Sequence, residues 1–381
     1  MSKSLLVALI GIAIGGITFG LLTPVTVILL ENVQTESWII GMITTINYIS
    51  FVMFSSYAGR LVEKRNIKFV LITGITLVLI GALGHLLWRN IFLLSIIRFI
   101  TGIGSTFIFV STEVLINISS DETNRGRNIG LYAMLLSAGI SVGTILISTV
   151  EIADWIPFVI GGVLMAVMLV FEVIMLKEVK SHLDESSNSK MSLKEMPITA
   201  LLSSALFGVF EASIVVAVPL YALRNGFNTT DVSSLLTSYI AGGIILLYYL
   251  SKLSDKYSKY SLLIFVSVGM CVLSLLPGFT FNLYALLIIL FVIGGIVPAY
   301  YTIGLNYTVE VIDKKYIAQA NGHYIMVYGL GTIVGPLFGS MLVEFDKVHG
   351  YWVFSSLICF LFFLYLVIKR NRKIKTVPIQ K

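Results

Sequence analysis

Twelve apolar runs of 18 to 27 residues, set close together along the whole chain, leave it few ways to fold. They occupy residues 4–30, 38–58, 69–88, 91–112, 129–148, 156–176, 198–222, 232–250, 261–281, 283–309, 317–343 and 351–368. A helix needs about 20 apolar residues to cross the hydrocarbon of a bilayer. Only helices and closed barrels satisfy every backbone polar group there, and these runs lack the alternation of a barrel. With a mean hydropathy of +0.95 and only 12% charged residues, the chain has too little polar surface to cover a water-facing exterior. The expected fold class is an all-α membrane protein with twelve transmembrane helices. The first run is too long for the apolar core of a secretory signal and is read as retained.

Basic residues set the expected orientation. With the N-terminus inside, 22 of the Lys and Arg residues fall on the inner side. Arg89, Arg224 and Lys347 fall outside, and Arg98 lies within a span. Both termini are therefore expected in the cytoplasm of a multi-pass protein of the cell (plasma) membrane. The net charge of +6 needs no nucleic acid, because inner loops and the tail IKRNRKIK face an anionic leaflet. Trp38, Trp88, Trp155 and Trp352 all fall at expected outer ends, where amphipathic rings settle at headgroup level. Cys271 and Cys359 lie in separate apolar runs and are read as small core residues, while His85, His182, His323 and His349 are too scattered to suggest a metal site.

The chain matches itself when shifted by 192 residues. GRLVEK at 59 falls on SKLSDK at 251, and NIFLLSIIRFITG at 90 falls on NLYALLIILFVIG at 282. GLYAMLLSAGISVG at 130 falls on GHYIMVYGLGTIVG at 322, pairing Gly139 with Gly331 and Gly143 with Gly335. The expected domains are an N-terminal six-helix bundle (1–176), a polar, serine-rich cytoplasmic linker (177–197), and a C-terminal six-helix bundle with a basic tail (198–381). An even number of helices per copy gives both the same orientation, related by a pseudo-two-fold axis along the membrane normal. The segment GRLVEKRNIK gathers Arg60, Lys64, Arg65 and Lys68 around Glu63. Its basic residues fix the segment in the cytoplasm, and its acid can pair with helix ends or basic groups of the neighbouring half.

These residues carry a resemblance to the major facilitator superfamily along the whole chain. GRLVEKRNIK resembles that family's signature after the second helix, Gly-x-Leu-x-Asp-Arg-x-Gly-Arg-Lys, with Asn66 and Ile67 departing from it; SKLSDKYSKY resembles it again, with Ser251 for the glycine. RFITGIG resembles the family's intramembrane Arg-x-x-x-Gly-x-Gly, and NRGRNIG its Arg-Gly-Arg turn. GTIVGPLFGS, with Gly331, Gly335, Pro336 and Gly339, resembles the glycine-proline pattern of drug:proton antiporters, which those proteins carry in the fifth span; there this chain keeps Gly139 and Gly143 without the proline. The whole is similar to a YcaD-like branch of small twelve-span exporters. The resemblance implies a cytoplasmic latch built from Gly59, Glu63, Lys64, Glu113, Arg125, Arg127, Asp255 and Lys256. It also implies a central pathway lined by helices one, four, seven and ten, which puts Thr18, Thr23, Arg98, Glu211, Tyr300, Tyr301 and Asn306 in the substrate cavity, with Asn47 and Tyr48 at its edge.

Ionisable residues inside a span cost from about 2.5 kcal/mol upward, so each is a functional candidate. Glu211 lies 13 residues into the seventh run, about 20 Å deep at ~1.5 Å per residue. It is either a proton switch or a permanently hydrogen-bonded structural acid. Arg98 sits about 12 Å from the outer end of the fourth run by the same rise and needs an acid, carbonyls or an anion beside it. It is either a coupling residue, as the resemblance implies, or a brace between helices. Glu172 and Glu310 read as interfacial. Pro24, Pro219, Pro298 and Pro336 mark bends, and the paired glycines mark close helix crossings.

The expected function is a proton-coupled secondary transporter working by alternating access and exporting a small amphipathic compound, drug or metabolite, as a proton antiporter. A proton-linked nutrient importer, or an exporter of a self-made metabolite such as a metal-chelating opine, uses the same machinery; a sensor or membrane enzyme fits less well. No GxxxxGK[ST] loop is present, and no cluster of catalytic groups converges at one depth. Expected partners are a small-molecule substrate and the bilayer, with protons as the coupling ion, no other cofactor, and a monomeric state.

Overall fold

The computed structural model describes residues 3–120, 124–176, 191–313 and 316–375; within these, the side chains of Arg125, Gly126, Ser251, Asp255, Ala318 and 371–375 lie outside the description. Among the described residues there are twelve long helices, several short 3-10 turns and no strand. The helices are α1 (Lys3–Asn32), α2 (Ser37–Lys64), α3 (Ile67–Gly84), α4 (Ile91–Ile118), α5 (Arg125–Ile145), α6 (Ile156–Met175), α7 (Ile198–Arg224), α8 (Thr229–Lys256), α9 (Lys259–Leu275), α10 (Leu283–Val311), α11 (Ile317–Phe345) and α12 (Gly350–Lys375). Each contains a stretch long and apolar enough to cross a membrane. Most of the expected linker, residues 177–190, lies outside the described residues.

The helices run past the apolar stretches that announce them. α2 continues to Lys64 and α8 to Lys256, so GRLVEK and SKLSDK are the last turns of helices rather than loops. Leu, Glu, Lys and Arg are good helix formers, and nothing in either motif breaks the ladder. Asn66, the residue that departs from the resembled signature, caps α3 by accepting the Phe69 amide at 2.6 Å.

Two compact units form, one from residues 1–186 with 218–240, the other from 187–217 with 241–381. In the first, Leu9, Ile12, Val70, Ile75, Ile108, Leu115, Met165 and Met168 build a core between α1, α3, α4 and α6. Residues 218–240 join this unit through polar contacts. The Arg224 Nε and Nη2 atoms donate to the two Glu31 oxygens at 2.7 and 2.9 Å, and Nη2 also donates to Ser37 Oγ at 2.7 Å. Nearby, Ser233 Oγ donates to the Thr144 carbonyl at 2.5 Å.

The sequence repeat is legible atom by atom inside each unit. In the first, a Cβ built on Gly16 of α1 would stand 3.2 Å from the Gly139 Cα of α5; in the second, one built on Gly208 of α7 would stand 3.1 Å from the Gly331 Cα of α11. One crossing further on, Gly143 meets the Ile17 carbonyl and Gly335 meets the Val209 carbonyl. These six glycines form three pairs related by the same 192-residue shift, so both copies use the same glycine faces to bring two backbones into contact. Helix starts repeat as well. Asn90 opens α4 by accepting the Leu93 amide at 3.1 Å, and Asn282 opens α10 by accepting the Ala285 amide at 3.1 Å. Asn90→Ala and Asn282→Ala should each lower stability by about 1 kcal/mol, the usual worth of such a cap, as measured by thermal unfolding in detergent, with helical content unchanged.

Candidate functional site

Among the described residues, each unit holds a polar cluster that contains one of the ionisable candidates, Arg98 in the first and Glu211 in the second. In the first unit, Arg98 projects from the first third of α4 and is 1% exposed. Its Nη1 donates to Thr23 Oγ1 of α1 at 3.0 Å, while Nε and Nη2 have no hydrogen-bond partner. No carboxylate among the described residues pairs with it. Tyr48 of α2 and His85, in the turn after α3, lie close enough to feel its charge. The His85 Nδ1 bonds the Gly81 carbonyl at 2.6 Å, leaving Nε2 unpartnered. Asn47 approaches the same helix at Gly102, where a Cβ would stand 3.1 Å from its Oδ1, an atom that also lacks a partner. Thr23, Asn47, Tyr48 and Arg98 thus come together. Thr18 faces elsewhere, its methyl 3.4 Å from where a Cβ on Gly161 of α6 would be.

In the second unit, Glu211 projects from α7 with a single hydrogen bond, donated by Tyr328 Oη of α11 to its Oε2 at 2.7 Å. Its other oxygen accepts none among the described residues. Phe207, one turn earlier on α7, stacks on Tyr328 with centroids 5.3 Å apart and tilts against Tyr301 of α10 at 5.2 Å. Tyr301 closes the triangle, 5.7 Å from Tyr328 and nearly perpendicular to it. Its carbonyl accepts the Tyr324 hydroxyl at 2.8 Å, which holds that part of α10 against α11. Glu211, Phe207, Tyr301 and Tyr328 are all partly exposed.

The other α10 candidates point away. Tyr300 is fully buried against α12, its hydroxyl 3.4 Å from Cys359 Sγ, and Asn306 reaches 3.4 Å to Ser254 Oγ of α8. Of the latch residues, Gly59 is half-buried and Glu63, Lys64, Arg127 and Lys256 are exposed. Glu113 bonds Tyr132 within the first unit. The side chains of Arg125 and Asp255 lie outside the described ones.

Sequence reasoning missed Phe207 and Tyr328. Phe207 carried a usable signal, since it precedes Glu211 by one turn on the same face. Glu172 is a correction. Read as interfacial, it is fully buried on α6 with both oxygens unpartnered. It sits against Gly11 of α1, and a side chain at Gly11 would collide with it. A glycine in the facing helix makes room that hydropathy cannot show. Glu310 behaves as expected, exposed and 3.7 Å from Lys259 Nζ.

The repeat shows that neither cluster is demanded by packing. Positions 192 residues from Arg98, Thr23 and Tyr48 hold Leu290, Val215 and Ile240. Positions equivalent to Glu211, Tyr301 and Tyr328 hold Phe19, Phe109 and Leu136, and the Phe19 and Phe109 rings pack 5.2 Å apart. Where one copy is apolar, the other carries charge.

Comparison with known proteins agrees with this architecture. The model of the Major Facilitator Superfamily matches residues 8–228 and again 200–381. The chain belongs to the Major Facilitator Superfamily. Among its relatives in that superfamily are the MFS-type transporter YfkF of Bacillus subtilis (strain 168), 23% identical over 352 residues that cover 91% of this chain and 90% of YfkF. A second is the MFS-type transporter YcaD of Escherichia fergusonii, 20% identical and covering 99% and 98% of the two chains. The solved structure of the nucleoside transporter NupG superposes with a TM-score of 0.76 at 14% identity over 96% of this chain and 98% of that one. A bacterial homologue of the human lysosomal transporter Spinster, in an inward-facing and occupied conformation, gives 0.74 at 11% over 96% of each. Both structures share the fold of this superfamily. Membership makes the chain a multi-pass membrane transporter for a small molecule.

Proposed function

We propose that this chain is a proton-coupled secondary transporter that works by alternating access and exports a small amphipathic compound in exchange for protons. In this reading it acts as a monomer in the plasma membrane with both termini in the cytoplasm. The two bundles follow the repeat, 1–176 and 198–381, and rock about a midplane site. The observation that carries it is Glu211. The carboxyl stands midway along a membrane-crossing helix with, among the described residues, one neutral hydrogen-bond donor, one open oxygen and no cation beside it. A group placed that way gains or loses a proton only when water reaches it, and alternating access brings water from one side at a time. That its copy is Phe19 argues against a purely structural acid. Arg98, whose charge has no counter-ion among the described residues, is the second coupling residue.

The test is proton flux in reconstituted vesicles carrying metabolite and toxic-compound mixtures. The intact protein should show substrate-dependent proton movement. Glu211→Gln should lose gradient-driven transport by about tenfold or more, within the usual range of coupling free energies, while substrate exchange without a gradient persists. Gradient-driven transport at the wild-type rate in Glu211→Gln would remove the proton role.

A further inference from the structure

We infer that the corner of the second unit where α7 and α9 begin and α12 finishes holds the phosphodiester of an anionic glycerophospholipid, gripped by Lys369 and Tyr365 and braced by Thr199. Thr199 and Tyr260 lie in the first turns of α7 and α9, and Lys369 stands about 28 Å along α12 from Gly350 at a rise of ~1.5 Å per residue, close to the ~30 Å thickness of the hydrocarbon. The Lys369 Nζ atom donates to Thr199 Oγ1 at 3.0 Å and to Tyr365 Oη at 3.2 Å. Those two hydroxyls lie 3.5 Å apart. Thr199 is fully buried, whereas Lys369 and Tyr365 are half-buried. Tyr260 Oη donates to the Leu366 carbonyl at 2.6 Å, which pins α9 to the same turn of α12. No ion pair among the described residues includes Lys369. Lys259, beside Tyr260, differs in having Glu310 at 3.7 Å.

An ammonium with two acceptors has a third N–H to give, and a hydroxyl that accepts from it keeps its own proton to donate. Donors without an acid beside them suit an anion. The surroundings decide which one. Leu361, Leu364 and Ile368 are exposed at helical spacing and form an apolar stripe along α12 that ends at Lys369. An acyl chain lies along such a stripe while its phosphate stays at headgroup level; a free phosphate gains nothing from it. Arg370 lies close enough for its charge to reach the Tyr260 hydroxyl, and Arg372, Lys373 and Lys375 follow in the sequence. That excess of positive charge favours an anionic headgroup over one that carries its own ammonium. The first unit has Val7 and Val173 at the positions equivalent to Thr199 and Tyr365, and there Lys68, the equivalent of Tyr260, donates to the Val173 carbonyl at 2.8 Å. Packing at this corner does not require the two hydroxyls, which are additions of the second copy. Nothing in the site depends on Glu211 or on proton coupling.

The probe is palmitoyl-oleoyl phosphatidylglycerol, titrated against its phosphatidylcholine counterpart into the full chain in detergent, with bound lipid counted by native mass spectrometry and thermal unfolding followed in parallel. A single phosphatidylglycerol should stay bound where phosphatidylcholine is lost, and it should raise the unfolding temperature. Lys369→Gln should weaken retention about fivefold, the usual worth of one basic group at headgroup level, and Lys369→Arg should keep most of it. Tyr365→Phe, which keeps the ring and loses the hydroxyl, should weaken it about threefold. Lys259→Gln should leave it unchanged, because Glu310 already answers that charge. Equal retention of the two lipids, release of the bound lipid by millimolar inorganic phosphate, or full retention by folded Lys369→Gln would each overturn the inference. So would a chain with Arg372, Lys373 and Lys375 all changed to Gln that loses as much as Lys369→Gln, since a diffuse basic tail would then hold the lipid. Should Lys369→Gln fail to fold, Tyr365→Phe decides: retention equal to that of the parent chain overturns the site, and the threefold loss supports it.

Discussion

Gly139→Leu should leave almost no folded protein, and Gly331→Leu should do the same from the other half of the chain. At both crossings the neighbours are backbone. A Cβ on Gly139 would run into the Ala13 carbonyl and stand 3.2 Å from the Gly16 Cα, and one on Gly331 would stand 2.5 Å from the Ala205 carbonyl and 3.1 Å from the Gly208 Cα. No flexible side chain is there to move aside, so α1 must separate from α5, and α7 from α11, along their length. Overpacking a core costs about 1 to 3 kcal/mol even where side chains can yield. Separating two helices forfeits many dispersion contacts besides, against a total stability of only about 5 to 15 kcal/mol. The built-in control is a second glycine pair with the same spacing. Gly130 and Gly322 have nothing within 4 Å of a built Cβ. Gly130→Ala and Gly322→Ala should be neutral or stabilise by up to about 1 kcal/mol through helix propensity. Size-exclusion profiles and thermal unfolding in detergent report both. A Gly139→Leu protein that elutes and melts like Gly130→Ala would mean that α1 and α5 do not cross as described.

That contrast shows what a sequence of this kind discloses. The four glycines look alike in the repeat, and only their surroundings separate a crossing from an open helix face. Twelve helices and their duplication are legible because bilayer thickness and a constant 192-residue register leave little freedom. Helix ends are less so, since α2 and α8 carry their charged motifs on their last turns, where hydropathy has already fallen. Rotation about each helix axis is the part that hydropathy hides. Tyr300 and Tyr301 are neighbours in sequence yet face α12 and the Glu211 cluster respectively, because successive residues on a helix point about 100° apart. Glu172 shows the same limit, its burial set by the absent side chain of Gly11 on another helix. Depth is readable from one run, whereas facing depends on pairs of runs.

Arg98→Leu should fold at least as well as the parent chain and transport about 100-fold less, a loss of about 2.7 kcal/mol. The first half of that statement comes from the repeat. Leu290 occupies the equivalent place and is itself buried, so a leucine of this shape is already accommodated at that level of the fold. A guanidinium keeps its charge, and burying it with two unpartnered nitrogens and no carboxylate is a net cost to folding. Replacing buried charge by an apolar group of similar volume is often neutral or stabilising by about 1 to 4 kcal/mol. The substitution leaves the Thr23 hydroxyl without its donor at 3.0 Å, which offsets part of that gain. The second half follows from the role proposed for the charge. A cation retained in an apolar interior at a cost to stability, near Asn47 and His85 atoms that also lack partners, is there for a ligand or a proton to answer. Arg98→Lys separates charge from shape: it should recover part of the transport, since the charge remains, but not all, because an ammonium lacks the fork that reaches Thr23. Unfolding of Arg98→Leu would identify Arg98 as a brace between α4 and α1 instead. Full transport by a stable Arg98→Leu protein would show that the charge is idle and leave Glu211 as the sole coupling group.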